Sequence, residues 1–379
     1  MLPGLTEEQR LLKESLERFR QQDCAFEKRK PLLAKLGAVD DPVWTRFSEL
    51  GWLAATLPEE HGGLGGPHAD LALLMEQFGR GLVTSPFVPT IVLGATALRL
   101  AGSDAQKSSI LPGVAEGRTK VALAYLEPPG QLDPSIVAMR ARLDGDDIIL
   151  TGTKIAALYG NVADHLLVSA RTFGQVGDHQ GISLFLLPAD AKGLTVEAYR
   201  THDDGWAADL HFDHVRISTD AFVGSAGSAL GTIEAALDAG AAALCAEAVG
   251  AMWTLHDMTL DYIKVRKQFG AAIGSFQAIQ HRMVNMYMKC QLAQSMALSG
   301  IAALDSSDSL ARRRAVSAAK VQVGRAARHV GEEAIQLHGG IAMTDEYAVG
   351  HYFKRLTMIR LMFGDEEYHL RRYRSLASL

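Results

Sequence analysis

Cysteine is scarce in this 379-residue chain. Cys24, Cys245 and Cys290 are widely spaced and odd in number. That excludes a disulfide framework and a zinc site built on paired ligands, and it fits a reducing cytoplasm. Charge of one sign is also lacking: a net charge of -5 and a pI near 6.2 provide no field that attracts polyanions, so no nucleic-acid partner is expected. No uninterrupted apolar run reaches the roughly 18 residues needed to span a bilayer, and Glu7 and Glu8 interrupt any signal-peptide pattern. Nothing calls for membrane insertion. No G-x-G-x-x-G follows a strand to open a helix, which leaves a Rossmann dinucleotide domain unsupported. Internal repeats and low-complexity linkers are missing too. What remains, 48% apolar and 21% charged, is an ordinary globular composition with a sizeable core.

The periodicity changes twice along the chain. Thr6-Glu7-Glu8-Gln9 has the form of a capping box, with Leu11, Leu12, Leu16 and Phe19 at helical spacing behind it. Helical signals continue through residues 43–50, 71–78 and 105–114, broken by the glycine-rich His61-Gly62-Gly63-Leu64-Gly65-Gly66. Short alternating or apolar runs at 121–126, 147–150, 165–170, 181–187 and 208–217 then predict strands between turn residues. Helical patterns return over 236–265, 277–304, 310–339 and 349–361. The expected fold is α+β and multidomain: an N-terminal helical domain over 1–116, a central β-barrel or sandwich over 117–226, and a C-terminal four-helix bundle over 227–379. The run Arg312-Arg313-Arg314 reads as a solvated helix face.

Chemistry-bearing residues cluster in the last third. Taken singly, Arg266 and Lys267 before Gly270 read as cations at a helix end with a glycine cap, and Gly339-Gly340 as a helix stop beside a satisfied His338. Their order and spacing say more. Arg266-Lys267-Gln268-Phe269-Gly270, then Phe276-Gln277, then Gln336-Leu337-His338-Gly339-Gly340 resemble the signature of the acyl-CoA dehydrogenase family. Pro58-Glu59-Glu60-His61-Gly62-Gly63 and Met343-Thr344-Asp345-Glu346-Tyr347 look like further family motifs. The resemblance covers nearly the whole chain.

That resemblance implies an FAD-dependent oxidoreductase that dehydrogenates an acyl-CoA thioester at the α and β carbons. It also implies an electron-transferring flavoprotein as acceptor. Arg266 and Phe269 match positions that meet the flavin pyrophosphate and rings of a neighbouring subunit. Gln277 matches a polar contact, and Gln336 with Gly340 the adenosine-side contacts. A guanidinium pairs with phosphate oxygens and a glycine lets backbone approach a ligand, so the residue types suit the roles.

Other positions depart from the family. Removal of an α proton needs a carboxylate base, yet the two positions matching its known locations are Gly364, preceded by Phe363 rather than tyrosine, and Gly240. Asp365 and Glu366 are the remaining candidates for a base, and both also read as surface carboxylates. Leu126-Glu127-Pro128-Pro129-Gly130-Gln131-Leu132-Asp133 lacks two hydroxyls of the corresponding family motif. Lys154-Ile155-Ala156-Ala157-Leu158-Tyr159 lacks its tryptophan and threonine. Ala241 replaces an arginine of the substrate helix, while Asp238 matches a family aspartate.

Losses thus fall on residues for the chain's own flavin, and retained residues on those serving a neighbour's. The pattern looks most like the small, base-lacking subunit of a heteromeric enzyme, similar to that of pimeloyl-CoA dehydrogenase, with a glutamate-bearing paralogue as partner. Alternatives are a self-sufficient homotetrameric dehydrogenase or monooxygenase using Asp365 or Glu366, and a non-catalytic acyl-CoA-binding scaffold. No metal site is expected.

Overall fold

The computed structural model describes residues 4–37, 41–128 and 132–377. The helices are, in chain order, α1 (Glu7–Asp23), α2 (Phe26–Lys35), α3 (Pro42–Glu49), α4 (His68–Arg80), α5 (Ala95–Ala101) and α6 (Asp104–Ala115), then α7 (Leu230–Val265), α8 (Gln277–Ala302), α9 (Ser309–His338), α10 (Ala348–Leu361) and α11 (Glu366–Ala377). Between α6 and α7 run β1 (Val121–Ala124), β2 (Arg140–Asp144), β3 (Asp147–Leu158), β4 (His165–Arg171), β5 (Ile182–Pro188), β6 (Leu194–Arg200), β7 (Trp206–Ser218) and β8 (Phe222–Val223). A two-strand hairpin, β9 (Lys267–Gln268) and β10 (Ala271–Ala272), separates α7 from α8.

Contacts group the chain into two units. One comprises Met1–Pro31, Pro67–Thr84 and Ala241–Leu379, the other Leu32–Gly66 and Ser85–Gly240. Helix α7 begins in the second unit and ends in the first.

The helical unit starts as its sequence predicts. Thr6 Oγ1 accepts the Gln9 N–H at 3.2 Å and Gln9 Oε1 accepts the Thr6 N–H at 3.3 Å, a reciprocal capping box. Helices α4 and α7 touch backbone to backbone. A Cβ on Gly79 would lie 1.9 Å from Glu247 O, and one on Gly250 1.9 Å from Glu76 O, so neither position admits a larger residue. Beside this crossing, Arg355 Nε and Nη2 on α10 donate to the Glu247 carboxylate at 2.5 and 2.7 Å. The apolar window of α7 passes a membrane-span test by length and composition, but 94% of it is buried inside the protein. The arginine run on α9 departs from expectation: all three residues are half-buried, and Arg314 lies over the Tyr373 ring at 5.2 Å. A basic run here covers the seam with α11 instead of facing solvent.

The β unit is one eight-stranded sheet in the order β6-β7-β3-β2-β4-β5-β8, with β1 parallel to β4 and packed against β3. Its core is Leu150, Leu166, Val168, Phe185, Leu210 and Phe212, the inward residues of the predicted strands. Strands β2 and β6 went unrecognised because their exposed residues, Arg140 and Arg142 in one and Glu197 and Tyr199 in the other, hide the apolar period. Helix α11 was likewise missed, as Arg371, Arg372 and Arg374 outnumber its buried residues. The motif residues Pro129, Gly130 and Gln131 lie outside the described residues.

Candidate functional site

The end of α7 and the hairpin after it hold the first group of predicted residues. Arg266 N–H donates to Tyr262 O at 2.8 Å and Ile273 N–H to Arg266 O at 2.8 Å, closing the hairpin over a two-residue turn. That turn is Phe269-Gly270, with φ of +53° and +80°. Both values suit the right-handed twist of a tight hairpin. For glycine the conformation is free; for phenylalanine it costs roughly 1 kcal/mol or more. Gly270 is thus the second turn residue of a hairpin and not the helix cap expected from sequence. Phe269 is 93% exposed, its ring edge-to-face with that of Phe276 at 6.3 Å between ring centres. The Arg266 guanidinium is exposed, with no hydrogen-bond or ion-pair partner among the described residues. Gln277, first residue of α8, is exposed as well.

The second group closes α9. Gly339, at φ +66°, caps the helix by donating its N–H to Ile335 O. Gln336, Gly339 and Gly340 are exposed, and a Cβ on either glycine would meet nothing within 4 Å. His338 is buried beside them. Its Nδ1–H donates to Ala334 O at 2.8 Å, and its ring centre lies 4.5 Å from that of Tyr262 and 5.4 Å from that of Tyr347. Burial pushes its pKa below the usual imidazole value, so the ring stays neutral. Its Nε2 is buried without a partner, contrary to the expectation of a satisfied residue. Tyr262 ties the two groups together: its backbone carbonyl anchors Arg266 and its hydroxyl donates to His338 O at 3.3 Å. A free guanidinium, an outward aromatic ring, two amide side chains and an open glycine pair therefore share one footing. They can recognise phosphate, an aromatic ring and nucleoside edges.

The two positions matching a base are different in kind. Gly240 is buried within α7, two residues after the buried Asp238. Gly364 lies between α10 and α11 at φ +108°, where a Cβ would come within 2.4 Å of the Tyr368 ring and 2.8 Å of His369 Nε2. Every neighbour pins this turn. Lys320 Nζ donates to Ile359 O at 2.7 Å, and burial pushes its pKa down to about 8. His369 bridges Phe363 O at 3.0 Å and Ser317 Oγ at 3.1 Å. Since a carbonyl can only accept, Nε2 carries the proton and Nδ1 receives the Ser317 hydroxyl. Burial, then Lys320 and Arg372, push the His369 pKa down to about 3. Asp365 is half-buried and accepts the Tyr368 N–H at 2.8 Å as the cap of α11; Glu366 pairs with Arg360 at 3.1 Å. Both carboxylates thus have structural partners.

In the β unit, Leu126, Ala156 and Leu158 are half-buried where hydroxyls and an indole were expected by resemblance. Beneath them lies a polar scaffold that sequence reasoning passed over. Glu127 accepts the N–H of Ala138 at 2.7 Å and of Met139 at 3.1 Å, and Lys154 Nζ at 2.6 Å; Lys154 also donates to Ser169 Oγ at 2.9 Å. Burial lowers Lys154 to about 8, and the contact with Glu127 keeps it charged at neutral pH. From the other side the fully buried Arg171 donates to the carbonyls of Ser135, Val137, Asp178 and Gln180 at 2.9 to 3.1 Å. The available signal was a charge closing the apolar run 165–170.

Family models for the N-terminal, middle and C-terminal domains of acyl-CoA dehydrogenase match residues 6–118, 122–215 and 230–374. The chain is 28% identical over 370 residues, 96% of each protein, to the probable acyl-CoA dehydrogenase YngJ of Bacillus subtilis (strain 168). It is 30% identical over 322 residues, 84% of this chain and 82% of the relative, to the probable acyl-CoA dehydrogenase FadE25 of Mycobacterium tuberculosis (strain ATCC 25618 / H37Rv). Among solved structures it resembles the Tcur3481-Tcur3483 steroid ACAD, with a TM-score of 0.87, 28% identity and 98% of both chains covered. A chain of a structure named for the electron transferring flavoprotein of Acidaminococcus fermentans gives a TM-score of 0.90 at 26% identity over the whole of both chains. With every domain matched in order and a relative at this identity over most of its length, this chain belongs to the acyl-CoA dehydrogenase family.

Proposed function

We propose that this chain is the base-lacking subunit of a heteromeric FAD-dependent acyl-CoA dehydrogenase, in which it completes the flavin site of a glutamate-bearing paralogue. One observation carries the reading. Arg266, Phe269, Gln277, Gln336 and Gly340 stand exposed on a common footing, while a Cβ at Gly364 would collide with the Tyr368 and His369 rings. FAD, when bound, supplies the acceptor for the hydride leaving the β carbon. The α proton goes to a carboxylate on the partner. This chain's part is to bind and orient: Arg266 pairs with phosphate oxygens, Phe269 packs on the flavin rings, Gln277 makes a polar contact, and Gln336 with Gly340 borders the adenosine half.

The substrate class is a CoA thioester, pimeloyl-CoA or another dicarboxylyl-CoA by resemblance, with an electron-transferring flavoprotein as acceptor. The three free thiols support a reducing, cytoplasmic setting. The three matched domains support division near 116 and 226. A self-sufficient enzyme using Asp365 or Glu366 has less support, because one carboxylate caps α11 and the other pairs with Arg360. A flavin-free scaffold has less support, because it would not need an exposed, strained Phe269.

The test is to purify the chain alone and with a co-expressed glutamate-bearing paralogue, and to measure flavin absorbance per subunit and its bleaching by an acyl-CoA. Flavin should be retained and bleached only in the pair, and Arg266→Ala should lower retention after dialysis by about tenfold or more. Bleachable flavin in the chain alone would overturn the proposal.

A further inference from the structure

The exposed group has two halves, one at the start of α8 around Gln277 and one at the end of α9 around Gln336 and Gly340. These helices run antiparallel: a Cβ on Gly300 near the end of α8 would meet that of Ala319 in α9 at 3.0 Å, and Arg282 near the start of α8 donates through Nε to the Glu333 carboxylate near the end of α9. The pair thus lies between the halves. Glu333 stands three positions before Gln336, on the same face of its helix. Neither Arg282 nor Glu333 has another hydrogen-bond or ion-pair partner among the described residues. The neighbouring Glu332 is engaged by Arg328 at 2.8 Å. Around the pair the seam is apolar, with Met283, Met286, Val330, Ala334 and Leu337 buried. Apolar packing sets the separation of two helices but resists their sliding only weakly, whereas a bond between single atoms fixes register, which shifts by 1.5 Å per residue. With side chains 37% and 19% exposed, the pair adds little net stability, so its contribution is geometric.

We infer that Arg282 and Glu333 are positioning residues: by locking the register of α8 against α9 they set the spacing between the two halves of the site, and so make it select a flavin dinucleotide over a flavin mononucleotide. The inference rests on the proposed function, in which FAD held by the partner reaches both halves. A mononucleotide carries only the rings and one phosphate, the groups addressed by Phe269 and Arg266. The dinucleotide adds the adenosine for Gln336 and Gly340. Two groups on one ligand reinforce each other only when the sites for them are spaced to match, and a misplacement of about 1 Å can cost roughly 100-fold. The bond from Tyr262 to His338 O ties the hairpin to the end of α9 from a different helix, so the pair acts on a group already held on its other side.

The test takes the complex with a co-expressed glutamate-bearing paralogue, stripped of flavin, and titrates it separately with FAD and with FMN by flavin fluorescence. Arg282→Met and Glu333→Gln should each lower FAD affinity about tenfold or more and leave FMN affinity unchanged. Arg282→Lys should recover part of the loss, and the double variant Arg282→Glu with Glu333→Arg should recover more than either of its single changes. Unfolding temperature and complex mass should stay at the wild-type values throughout. FAD and FMN affinities that fall together, an unchanged FAD affinity, or a double variant no better than its single changes would each overturn the register role. Failure of the subunit assignment reads differently: the unmodified complex would then bind no more FAD than the paralogue binds alone.

Discussion

The turn from Ile359 to Asp365 and the hairpin from Arg266 to Ala272 both hold a non-glycine residue at positive φ followed by a glycine, yet they treat it in opposite ways. Phe363, at φ +58°, is buried, its carbonyl is held by His369, and the next position is walled in by Tyr368 and His369. Phe269, at φ +53°, projects into solvent with its neighbours Arg266 and Gly270 unobstructed. Strain inside a locked core is offset by packing and hydrogen bonds. Strain on the exposed tip is offset only by the hairpin's own pairing, with no buried packing around the Phe269 ring, which leaves that ring open to a role outside the chain. One region is crowded around its glycine, and the other is open around it.

The contrast is most severely tested at Gly364. Gly364→Glu should destabilise the chain by roughly 3 kcal/mol or more, because the side chain meets Tyr368 and His369 at a φ that L-residues avoid. Thermal unfolding with an acyl-CoA dehydrogenation assay checks it. A variant of normal stability that gains activity would show the turn to be merely missing its base.

Next in size is the pH response of His369. Its pKa falls from 6.5 to about 3 on folding, so the folded state binds fewer protons between those values. Stability should be fully present above about 6.5 and decline as pH falls toward 3, by at most about 1.4 kcal/mol per unit from this group. Comparing His369→Gln with wild type across that range isolates the effect, since the carboxylates titrate in both. Equal slopes would mean that His369 does not hold the turn as described.

The smallest effect belongs to the hairpin. Phe269→Gly should relieve the backbone strain and raise stability by up to about 1 kcal/mol, while lowering flavin retention in the paired complex. Lost stability would make Phe269 a structural residue and erase the distinction between the two regions.

The order of helical, β and helical segments was legible from periodicity, because Leu150, Val168 and Leu210 alternate along strands and α7 to α10 repeat their apolar residues at helical spacing. Charged α11, β2 and β6 were not, since their burial comes from neighbours rather than from their own pattern. Arg266, Phe269, Gln277, Gln336 and Gly340 were singled out by the order and spacing of family-like motifs, and their flavin-binding role is the proposal made above. By itself the sequence determined that glycine stands at 240 and 364, and that Arg266 and Phe269 sit in a motif resembling that of the acyl-CoA dehydrogenase family. Only the tertiary structure decided that a Cβ at Gly364 would collide with Tyr368 and His369, that Asp365 and Glu366 already have partners, and that Phe269 stands exposed beside Phe276 while the Arg266 guanidinium has no hydrogen-bond or ion-pair partner among the described residues. The physical reason is long-range packing: Lys320 and Ser317 hold the turn through Ile359 and His369, 39 and 52 residues away, and Tyr262 joins the hairpin to His338, 76 residues away, and no local pattern encodes those distances.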